Sequence, residues 1–81
     1  MEIRNVYIIY DKTKLDKEVI KKELIEEGYT HNFMFGGEID DRRIVENHLF
    51  NTDEVWVWGD CKESRDYKLA LKVGSDIWQM G

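Results

Sequence analysis

The sequence predicts an α/β fold built on one four-stranded parallel sheet. Three observations point there. Four short apolar segments alternate with three amphipathic ones, giving β-α-β-α-β-α-β. The first segment, RNVYIIY, is apolar on both faces, as a central strand covered from both sides requires. The links are short and the chain has no proline to interrupt an element.

The first strand spans Arg4 to Tyr10 and stops at Asp11 to Thr13. Thr13, followed three residues later by Asp16, has the spacing of a capping box, which predicts a helix from about Lys14 to Gly28. Ile20 and Leu24 share one face of that helix, flanked by Val19 and Ile25, with Lys17 and Lys21 nearby. So narrow a stripe suits a helix packed on one side only. Gly28 supplies the stop.

Thr30 to Phe35 predict the second strand, ended by Gly36 and Gly37. Asp40 or Asp41 caps a second helix reaching about Asn51, with Ile44, Val45, His48 and Leu49 as its stripe. Glu54 to Trp58 form the third strand, with two valines on one face and two tryptophans on the other. Gly59 and Asp60 end it. Asp60 with Glu63, or Ser64 one turn later, caps a third helix that ends at Gly74. Leu69, Ala70 and Val73 face the sheet from it, with Asp66 on the same side, and Ile77 to Met80 make the last strand.

Right-handed crossovers leave few topologies, of which strand order 2-1-3-4 is the expected one. It gives a three-layer, flavodoxin- or Rossmann-like single domain over residues 1–81, with the first helix on one face and the other two opposite. Nothing then covers the first-helix face over strands three and four, where either Trp56 with Trp58 or Val55 with Val57 must point. A bare apolar patch of this kind predicts a homodimer.

Composition narrows the function. Eighty-one residues bury only about 60% of their unfolded surface, so a partner is expected. Twelve basic against seventeen acidic residues give a charge of -5, which disfavours direct nucleic-acid binding. The lone cysteine, Cys61, excludes an internal disulfide and suggests a reducing, cytoplasmic setting. No stretch approaches the ~20 apolar residues of a membrane span.

In such sheets ligands bind at the carboxyl ends of the strands. There the topology gathers Asp11, Gly36, Gly37, Glu38, Gly59 and Asp60, with Ser64, Arg65 and Asp66 following. Carboxylates on that rim can accept hydrogen bonds from ribose hydroxyls, hold a cation or bind a cationic ligand. Thr13, Asp40 and Asp60 also suit plain helix capping, and Asp66, facing inward, needs a partner. Cys61 opens the third helix, where a thiolate is stabilised. Neither a metal nor a cofactor is expected.

The run NHLFNTDEVWVWGDCKESRDYKLALKVG resembles the carboxyl half of the nucleoside 2-deoxyribosyltransferase-like superfamily, including its small phage and bacterial relatives. Those proteins place an acidic pair before an apolar strand, then a polar loop and a helix ending in glycine. The resemblance implies a nucleoside-type ligand, with Asp60 as the positioning aspartate and Asp66 as the nucleophile when the helix is counted back from Gly74. Counted forward from Ser64 and Arg65, Asp66 instead replaces a loop glycine, and the helix is a turn short with no glutamate in it. The family's aromatic or glycine-rich segment after the first strand is replaced by Tyr10 to Thr13. These departures imply weak or absent transferase activity. The alternative, from another class, is an acidic dimeric interaction protein, such as a viral inhibitor, that sequesters a host factor.

Overall fold

Four parallel strands lie side by side in the order β2-β1-β3-β4, as the alternation predicts. They are β1 (Asn5–Ile9), β2 (Asn32–Phe35), β3 (Glu54–Trp58) and β4 (Ile77–Met80). The helices between them are α1 (Lys17–Glu26), α2 (Arg42–Asn51) and α3 (Arg65–Val73). The structure, a computed structural model, describes residues 2–80.

Alternation along each strand divides the core in two. Tyr7, Ile9, Val55 and Val57 meet Val45 and Leu49 of α2 and Leu69 and Ala70 of α3. Val6, Ile8, Phe35 and Trp56 meet Ile20 and Leu24 of α1. Helices thus cover both faces, α1 on one and α2 with α3 on the other. Ile20 and Leu24 are the two buried residues of α1, and full burial of each such side chain stabilises by about 1.5–3 kcal/mol.

Three local expectations are corrected. Helix α1 begins at Lys17, not Lys14, because Asp11 captures Thr13: its Oδ1 accepts from the Thr13 amide at 2.9 Å and from Thr13 Oγ1 at 2.6 Å. Thr13 is therefore held in a turn, and Asp16 becomes the N-cap, accepting from the Glu18 amide at 2.9 Å. Strand β2 begins at Asn32 rather than Thr30. On α2, Ile44 is exposed and only Val45 and Leu49 are buried, because the helix rests on the sheet along one narrow line. Where alternatives stood open, Asp41 caps α2 and Ser64 caps α3. Gly74, at φ 76°, closes α3 in the left-handed conformation.

The tryptophans, not the valines, point to the α1 face. Trp56 is nevertheless covered: Tyr29, Phe33 and His31 pack on it with ring centroids at 5.0, 5.5 and 6.0 Å. What remains open on this face is Trp78, 49% exposed, beside the half-buried Trp58 and Met80. Among the described residues no helix is long and apolar enough to cross a membrane.

Candidate functional site

The crossover from β1 leads to β2 on one side, and the crossover from β2 returns past β1 to β3 on the other. The carboxyl ends of β1 and β3 therefore diverge into different loops, and a crevice opens between them. The crevice is a cleft of about 680 Å³. One wall is the last residue of β1, Ile9, with the segment from Tyr10 to Lys14; the facing wall is Asp60, Cys61 and residues 63–66, and Gly37, Ile39 and Asp40 close one side.

Of the nine residues expected at the site, Asp11, Gly37, Asp60, Ser64, Arg65 and Asp66 line this cleft. Glu38 turns away to a neighbouring hollow, where it pairs with Lys17, and the ammonium holds its carboxyl below the usual range. Gly36 and Gly59 do not line the cleft, and the Gly59 carbonyl accepts from Gln79 Nε2 at 2.7 Å.

Asp66, 7% exposed, has both carboxylate oxygens engaged. Oδ2 accepts from the Tyr7 hydroxyl at 3.0 Å, and Oδ1 accepts from Arg65 Nε at 3.1 Å and Nη2 at 3.0 Å. Here is the partner that an inward carboxylate requires. Burial, then the Asp66 charge, push the Tyr7 phenol well above its ordinary range. A Cβ at position 36 would stand 2.7 Å from Asp66 Oδ2, so only glycine leaves the carboxylate room. Tyr7 was not legible as a site residue, because in sequence it is one more apolar member of β1.

Arg65 does more than pair with Asp66. Its Nη1 donates to the Asp40 carbonyl at 2.7 Å and its Nη2 to the Ile39 carbonyl at 2.8 Å, which ties the start of α3 to the β2–α2 segment. Asp11 is held below the usual carboxylate range by the two hydrogen bonds from Thr13. Cys61 corrects an expectation: it precedes the α3 cap instead of opening the helix, and its thiol is buried and donates to the Trp58 carbonyl at 3.3 Å. Burial first, then Asp11 and Asp60, push that thiol up, away from thiolate chemistry.

Five carboxylates face the cleft, from Asp11, Asp40, Asp60, Glu63 and Asp66, against the cations of Lys12, Lys14 and Arg65. The balance favours hydroxyl donors over phosphates. Among the described residues no group of three or more His, Cys, Asp or Glu is arranged to hold a metal ion. His31 stands at the opposite, amino-terminal end of the strands, where its Nδ1 accepts from the Arg4 amide at 3.2 Å. Compared with known proteins, the chain matches no protein family, no curated protein and no solved structure.

Proposed function

We propose that the cleft between β1 and β3 binds a small nucleoside-type ligand, in the manner of the nucleoside 2-deoxyribosyltransferase-like proteins that the carboxyl half resembles. The observation that carries this reading is the position of the cleft at the switch point of a parallel sheet, with Asp11 and Asp60 on facing walls. Their carboxylates accept hydrogen bonds from the sugar hydroxyls, and the acidic balance selects nucleosides over nucleotides. Transferase activity is weak or absent in this reading. Both oxygens of Asp66 are already committed to Tyr7 and Arg65, so attack on a sugar carbon requires those bonds to be given up. The cytoplasm, the source of free nucleosides and the natural setting for a lone thiol, is the compartment we assign.

Thermal shift against adenosine, deoxyadenosine, thymidine and their monophosphates tests the proposal. The expected result is a rise in Tm with at least one nucleoside that Asp60→Ala abolishes. No rise with any of them overturns it.

A second reading is favoured by Trp78, an aromatic ring half in water on the uncovered part of the α1 face. In it the protein is an acidic homodimer whose tryptophan surface engages a protein partner. A stable dimer in sedimentation, without any nucleoside response, favours this reading over the first.

A further inference from the structure

We propose that residues 36–41 form a strap along one side of the cleft, fastened by three cationic side chains and released when those fastenings give way.

Both ends of the strap are fixed. At one end the Gly36 amide donates to the Ile8 carbonyl at 2.7 Å, and a Cβ at position 36 would meet Asp66, the Ile8 carbonyl and the Tyr7 ring within 3.1 Å, which keeps this end of the strap glycine. At the other, Asp41 caps α2 by accepting from the Arg43 amide at 2.9 Å. Between them the backbone joins neither a strand ladder nor a helix, and Gly37, at φ 87°, turns the chain along the side of the cleft that it closes with Ile39 and Asp40.

The fastenings come from the opposite walls. Lys12 Nζ donates to the Gly37 carbonyl at 3.1 Å, and Lys17 pairs with Glu38. Arg65 takes the Ile39 and Asp40 carbonyls. Two of the three cations therefore bind backbone carbonyls, and these bonds lie at exposed positions, where water and salt compete for them. The one apolar anchor is Ile39, half-buried against the cluster that contains Cys61. When the strap lifts, Ile39 leaves that cluster and the cleft wall at Cys61 is uncovered.

The gate presupposes the cleft as a ligand site, but its test uses no ligand, so the two readings fail separately. The double variant Lys12→Gln/Lys17→Gln removes two fastenings and leaves Arg65 and Asp66 intact. Hydrogen exchange of the amides of residues 37–40 and alkylation of Cys61 by uncharged iodoacetamide are measured on the full chain. The expected result is that both rates rise by about tenfold in the variant and also rise in the wild type on adding salt, with amides in β1 and β3 unchanged. Loss of nearby lysines would by itself lower the thiolate fraction, so faster alkylation reports access. Unchanged exchange, faster exchange without faster alkylation, or a parallel rise in β1 and β3 each overturn the proposal.

Discussion

The hydroxyl of Tyr7, at the centre of the sheet and fully buried, donates to the carboxylate of Asp66, which is 59 residues away in sequence. That bond holds a residue of the cleft wall in place. It joins the central strand to the first turn of α3 and leaves Asp66 facing the cleft with no oxygen free.

Tyr7→Phe leaves Asp66 Oδ2 buried without its donor while keeping the ring volume. The expected cost is about 1–3 kcal/mol, read as a lowered midpoint in urea denaturation. A change within error would mean that water replaces the phenol at no cost.

The same phenol makes the protein sensitive to alkali. Its folded pKa lies above the ordinary value of 10.0, so the folded state holds the proton more tightly than the unfolded chain does. This contribution is intact below pH 10 and is lost as pH rises further. Ultraviolet titration is expected to show one of the four tyrosines ionising only as the protein unfolds, and Tyr7→Phe to remove that step.

Acid acts at the other end of the strands. Glu54 is buried and bonded by Arg4 and by Trp56 Nε1, at 3.2 Å for the indole, and its carboxyl is held below 4.5, by the Arg4 hydrogen bond above all. A depressed pKa stabilises above the unfolded value and loses its effect as pH falls through the folded one. The Tm is expected to decline as pH drops below 4.5, and Glu54→Gln to make that decline shallower.

At the helix start, Asp16→Ala is expected to cost about 1 kcal/mol through loss of the α1 cap. Thr13→Ala leaves that cap in place and releases Asp11 instead. Denaturation midpoints for the two variants check this, and equal losses would restore Thr13 as the capping residue.

Trp78→Glu bears on the proposed homodimer. The wild type is expected to sediment as a dimer at micromolar concentration and the variant as a monomer. A monomeric wild type removes the dimer.

The order of elements, the parallel sheet and its 2-1-3-4 arrangement were all legible in the chain. Each rests on short-range signals: the unbroken apolar run of β1, the alternating Val and Trp of β3, and glycines where helices end. Such signals also placed Asp11, Asp60, Ser64 and Asp66 near one another, because a parallel sheet collects its carboxyl-terminal turns along one edge. Tertiary structure decided what those side chains do there. Thr13 was free to cap a helix until Asp11 took its hydroxyl, and Asp66 had no partner until the fold brought Tyr7 across from β1. Trp56 and Trp78 are alike in sequence, yet one lies under Tyr29 and Phe33 while the other faces water. Periodicity reports which face a residue occupies. Which group stands opposite depends on chain segments that only folding makes neighbours.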